Sequence, residues 1–84
     1  MSVYFITFRS VTLAQRGDQV LHKGGVRCTL QRTPRWMEEQ GCGYCLKVRL
    51  EDVGTSVQLL RQGQVQFRKV YVQKEDGSAE EVKL

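Results

Sequence analysis

The stretch Val3-Tyr4-Phe5-Ile6-Thr7-Phe8-Arg9-Ser10 decides how the rest of the chain is read. Every residue from Val3 to Phe8 is β-branched or aromatic, the composition of a strand. Ser10 then offers a side-chain oxygen to the free amides of a following first helical turn. Leu13, Gly17, Val20, Leu21 and Gly24 fall at i, i+4, i+7, i+8 and i+11, which is helical spacing. Gly24-Gly25 ends that helix, because glycine enters the left-handed region without strain. Gly17 weakens the helix interior, so its place there is read as close packing.

Downstream, Val26, Cys28 and Leu30 alternate with Arg27, Thr29 and Gln31, the pattern of a half-buried second strand. Thr33-Pro34-Arg35 stops it, since Pro34 cannot donate to a ladder. Residues 35–41 read as a loop or a single helical turn. A third strand follows, with Leu46, Val48 and Leu50 on one face and Cys45, Lys47 and Arg49 on the other. Asp52 is the expected N-cap of a second helix whose Val53, Val57 and Leu60 share a stripe, and Gly63 closes it. Val65 to Val72 reads as the last strand, though its mixed alternation assigns no inward face. From Lys74 the chain turns polar and is expected to fray.

The order βαββαβ, with right-handed crossovers, predicts an α+β, ferredoxin-like domain. Its sheet has four antiparallel strands in the order 4-1-3-2, and both helices lie on one face. Residues 1–73 form this single domain, and residues 74–84 are an acidic tail. Eighty-four residues bury only about 60% of their unfolded surface, so the core is modest and leaves no room for a separate cofactor domain.

The formal charge of +4 is unevenly placed. Residues 1–73 hold 11 Lys/Arg against 5 Asp/Glu, or +6, and residues 74–84 hold 2 against 4, or −2. A basic body with an acidic tail attracts anions or is simply a solvated surface. No apolar run reaches the ~20 residues that span a bilayer, and the first residues carry no leader pattern. A cytoplasmic protein without membrane contact is the expectation.

The chemistry concentrates at Gly41-Cys42-Gly43-Tyr44-Cys45. Two thiols at this spacing can form a disulfide, resolve one another or share a metal. In the bland reading Cys45 is a strand residue and Cys42 a small loop residue. A structural zinc needs four ligands. Cys28 and His22 are the other soft side chains, and both are expected elsewhere, so neither a metal nor a cofactor is expected. Cys28 reads as a core residue, and His22 as facing solvent or the helix C-terminus. Trp36 and Met37, in the loop leading to Cys42, suit a lid or a partner anchor as well as they suit minor core. Without a Ser/His/Asp group, a second histidine or a carboxylate pair, hydrolysis has no support.

The predicted topology brings Phe8, Arg9 and Ser10, the Thr33-Pro34-Arg35 turn and the Cys42 loop to one end of the sheet. The first amides of the first helix face that cluster, and with Arg9 and Arg35 they favour an anion, including a thiolate. The open sheet face is expected to carry Phe5, Thr7, Arg9, Thr29, Gln31, Lys47 and Arg49. It lacks the stacking aromatics of an RNA platform on its third strand, so nucleic acid is not the favoured partner. It suits a subunit interface better.

Phe5 to Ser10, Thr33-Pro34-Arg35 and Cys42-Gly43-Tyr44-Cys45-Leu46-Lys47-Val48 together resemble the Se/S carrier protein-like family of small bacterial and archaeal domains. The resemblance runs from about Tyr4 to Tyr71. It implies that Cys42 is the principal thiol, that sulfur or selenium donor and acceptor proteins are the partners, and that the protein carries rather than catalyses. The expected site is therefore Cys42 with Cys45 as a second thiol, and Arg9, Ser10, Thr33, Arg35 and Gly43 as the anion-favouring surround. The alternatives are a basic-faced binding or assembly module with incidental cysteines, and a dithiol redox protein using Cys42 and Cys45.

Overall fold

The computed structural model describes residues 3–33 and 43–82. Their element order is β1 (Val3–Phe8), α1 (Val11–Lys23), β2 (Thr29–Arg32), β3 (Tyr44–Arg49), α2 (Leu50–Gln62), β4 (Val70–Gln73) and β5 (Ala79–Val82). The strands form one antiparallel sheet in the order β2-β3-β1-β4-β5. The class is α+β with two helices, but the expected four-stranded sheet is corrected to five strands.

The fifth strand lies in the acidic tail. Asp76-Gly77 is a hairpin signal. Gly77 takes a φ of 88°, and Asp76 Oδ1 accepts from Ser78 N at 2.9 Å and from Ser78 Oγ at 2.6 Å. The hairpin folds Ala79–Val82 back onto β4. There Glu80 meets Lys74 at 3.1 Å and Glu81 meets Lys69 at 3.5 Å. The acidic tail thus pairs with cations of the basic body. These are exposed pairs, worth about 1 kcal/mol at most, and they set register more than stability.

The period of two along β1 sorts the sheet into its faces. Ile6 and Phe8 point to the helices and join Leu46, Val48 and Val70 in the main core, with Tyr4 packed beside them. Ala14 and Leu21 of α1 and Leu60 of α2 complete that core from the helix side. At Gly17 the helix and sheet layers approach closely. A Cβ there would lie 2.9 Å from Phe8 Cζ and 3.2 Å from both Leu46 Cδ1 and Leu60 Cδ2.

Both helices end in one way. Val26 N donates to Leu21 O at 2.8 Å and Gly25 N to His22 O at 3.1 Å, with Gly25 at φ 82°. Val65 N donates to Leu60 O at 2.9 Å and Gln64 N to Arg61 O at 3.1 Å, with Gln64 at φ 57°. Each is a Schellman closure, with a buried valine returning to the core after the left-handed residue. The glycine expected to close α2, Gly63, is its C-cap, and the left-handed turn belongs to Gln64.

At the other ends the helices differ. Ser10 caps α1 with its Oγ accepting from Leu13 N at 3.2 Å. The expected cap of α2, Asp52, lies inside its first turn instead, and Arg49 takes the N-cap position with no side-chain bond. Asp52 still suits the positive helix end, and Arg49 Nε reaches it at 3.4 Å and Glu51 at 3.2 Å.

The last long strand is shorter than the sequence suggests, for a local reason. Thr7 N donates to Lys69 O at 2.9 Å, while Thr7 O accepts from Arg68 N at 2.8 Å. Two residues therefore oppose one, which is a β-bulge. Lys69 N also donates to Thr7 Oγ1 at 3.1 Å. The bulge shifts side-chain parity, so Val65–Lys69 does not alternate in step with Val70 and Val72, the residues that face the helices.

Candidate functional site

The end of β1, the end of β2 and the start of β3 meet at one end of the sheet. Phe8 pairs with Tyr44, and Arg32 pairs with Tyr44 from the other side. Thr33 N donates to Gly43 O at 3.0 Å. Of the expected site, Arg9, Ser10, Thr33, Gly43 and Cys45 are placed. Cys42 and Arg35, with Pro34, Trp36, Met37 and Gly41, lie outside the described residues. Gly43, the neighbour of Cys42, is buried in this end of the sheet.

The two helices differ in the charge of their first turns. The first turn of α1 carries no acidic residue, whereas that of α2 carries Glu51 and Asp52. The partial positive charge of the α1 amides is therefore not offset by a carboxylate of its own first turn. Arg9, exposed at the end of β1, lines a cleft of about 370 Å³ with Leu13, Gln66, Phe67, Arg68 and Lys69. The bulge opposite Thr7 is what brings Arg68 and Lys69 here. Sequence reading missed both, and the broken alternation at Gln66-Phe67-Arg68-Lys69 was the available signal. Removing the cap tests how far this corner depends on α1. Ser10→Ala is expected to cost about 1 kcal/mol, seen as a fall in Tm of about 4–8 °C for a domain this size.

Cys45 has the predicted facing but not the predicted access. It sits across from Thr7 and Gln31, on the face away from the helices. Yet it is 0% exposed, packed with Phe5 in a small second cluster that Val3 and Tyr71 flank. Burial pushes its thiol above the ordinary range, and polar contacts from Thr33 and Gln31 offset that only in part. Phe5 and Thr7 are likewise 4% and 3% exposed. The face expected to be open and basic is basic at Lys47 and Arg49, which are exposed, and closed along its centre.

His22 and Cys28 were expected away from the Cys42 loop, and the fold brings the two together. Cys28 is half-buried against the core, and its Sγ donates to Asp18 Oδ1 at 3.2 Å. His22 Nδ1 lies 3.3 Å from the same oxygen. Burial, then the Asp18 hydrogen bond and charge, push the Cys28 thiol up to about 12. It is a protonated donor, not a nucleophile, at neutral pH.

The described residues form a two-layer α+β domain in which the ends of β1 and β2, the start of β3 and the first turn of α1 share one end of the sheet. The chain matches the family described as "Putative Se/S carrier protein-like" over residues 3–72, and it belongs to that family. No curated protein and no solved structure shows a significant match. Among the described residues, no helix is long and apolar enough to cross a membrane.

Proposed function

We propose that the protein is a non-enzymatic carrier of sulfur or selenium with Cys42 as the bearing thiol. Family membership is the observation that carries this reading. The exposed Arg9 and the α1 N-terminus beside it support it, because a persulfide is an anion at neutral pH and such a corner favours one.

Loading is an exchange. The Cys42 thiolate attacks the outer sulfur of a donor persulfide, a new S–S bond forms, the donor's S–S bond breaks, and the donor leaves as a thiolate. The thiol proton goes to solvent, and no external oxidant or reductant enters. A donor carrying selenium in the outer position loads Cys42 in the same way. Delivery to an acceptor thiol is the reverse exchange. The partners are therefore a donor and an acceptor with accessible sulfur or selenium.

Intact-mass analysis after incubation with a small-molecule persulfide donor tests the reading. One added sulfur atom is expected on the native chain, removed by a thiol reductant and absent from Cys42→Ser. A chain that loads equally well as Cys42→Ser overturns it. The burial of Cys45 counts against the dithiol alternative, because a resolving thiol needs both access and thiolate character. The assembly alternative draws on the exposed Lys47 and Arg49, and a second copy binding through that face would appear as a dimer by light scattering, unaffected by Cys42→Ser.

A further inference from the structure

We propose that Asp18, His22 and Cys28 form a binding site for a zinc-class divalent cation, separate from the Cys42 corner. α1 sets Asp18 and His22 one turn apart on the same helix face. The Schellman closure at Gly24-Gly25-Val26 then reverses the chain, so that Cys28 returns alongside the helix. One ligand atom from each residue lies within 4.8 Å of the others.

The spacing suits a tetrahedral ion. With zinc bonds of about 2.3 Å to sulfur and about 2.0–2.2 Å to nitrogen and oxygen, neighbouring ligand atoms stand about 3.4–3.6 Å apart. The carboxylate oxygen already lies 3.2 Å from the thiol sulfur and 3.3 Å from the imidazole nitrogen. His22 is 56% exposed, so its ring is free to turn the last fraction toward the sulfur. Cys28 is anchored against the core, and α1 holds Asp18. Two ligands are thus positioned by the fold and the third adjusts.

The donor set selects the metal. A thiolate and an imidazole favour zinc and its neighbours over magnesium or calcium, which prefer all-oxygen surroundings. Binding displaces the thiol proton to solvent. Thiolate and carboxylate then neutralise the dication, and the imidazole binds uncharged. Three protein ligands leave a fourth position for water or a small soft anion, as in open zinc sites. The site lies at the far end of β2 from Thr33 and Gly43. Cys28 to Thr33 is five residues of extended chain, or roughly 16 Å, so the two ends of the sheet act on different ligands.

Cobalt(II) is the probe, because a cobalt–thiolate bond has its own near-ultraviolet charge-transfer band. The tag-free full chain, stripped with a chelator, is titrated with cobalt and the bound cobalt is then displaced with zinc. The band is expected in the native chain and in Cys42→Ser, and absent from Cys28→Ser. His22→Ala, at an exposed position, keeps the fold and is expected to weaken zinc binding about 100-fold or more. No cobalt–thiolate band in the native chain overturns the site. So does a band that survives in Cys28→Ser and disappears in Cys42→Ser.

Discussion

Iodoacetamide is expected to leave Cys45 of the native protein untouched while an ordinary thiol is consumed, with a rate lower by about 10³-fold or more. The sulfur is fully buried on an inner strand, paired to β1 on one side and β2 on the other. Reagent reaches it only when that part of the sheet opens. A small domain sits near the low end of the usual stability range, about 5 kcal/mol, and each 1.4 kcal/mol is a factor of ten in the open population. Opening alone therefore supplies about three decades of protection. The raised affinity of the thiol for its proton acts in the same direction. Peptide mapping by mass spectrometry, in native buffer and in denaturant, reads the contrast directly. Labelling of native Cys45 at the rate of a model thiol would mean that the face away from the helices is open, and would restore the Cys42/Cys45 dithiol reading.

The same cysteine marks where sequence reading reaches its limit. Alternation along β3 placed Cys45 on the face away from the helices, correctly, because a pleated strand allows no other parity. Parity says which way a side chain points and nothing about what covers it. Among the described residues it packs with Phe5, with Val3 and Tyr71 beside it, across two other strands, and those registers are set by the whole sheet. The bulge opposite Thr7 is a similar case. Mixed alternation announced that something breaks between Val65 and Val70, but one long-range backbone pairing decides where. β5 was missed for a different reason. Ala79-Glu80-Glu81-Val82 has weak strand propensity, so its pairing follows from the Asp76-Gly77 turn and from Lys69 and Lys74, which flank the partner strand.

The candidate sites divide along the same line. Arg9, Ser10, Thr33 and Gly43 were readable as neighbours, because the order of elements alone sends the ends of β1 and β2 and the start of β3 to one end of the sheet. Asp18, His22 and Cys28 were not. Their sequence spacing spans a helix end and a turn, and only the geometry of the Gly25 closure carries Cys28 back to the helix. A four-residue step from acid to histidine, followed by a glycine-closed turn and a cysteine, is the pattern a sequence search would need.

Gly17→Val is expected to destabilise the domain by about 2 kcal/mol, lowering Tm by about 8–16 °C. Two effects oppose each other at this position. Valine in a helix interior is favoured over glycine by a few tenths of a kcal/mol. Against that, its Cβ enters a space bounded at 2.9 Å by the Phe8 ring and at 3.2 Å by Leu46 and Leu60, all three fully buried. Overpacking of this kind costs about 1–3 kcal/mol, and the two further methyl groups of valine must also find room in it. Gly17→Ala separates the effects. Its helix gain is larger, about 1 kcal/mol, and its intrusion is a single carbon, so the net loss is expected to stay below about 1 kcal/mol. Thermal unfolding of the two variants beside the native chain gives the order native, alanine, valine in falling stability. A valine variant as stable as the native chain would mean that α1 does not pack against Phe8 and Leu46 as closely as described. The consequence extends to function, because α1 joins both candidate sites. Its first turn lies at the Arg9 and Gly43 end of the sheet and its last two turns hold Asp18 and His22, so a helix lifted from the sheet at Gly17 is expected to loosen both.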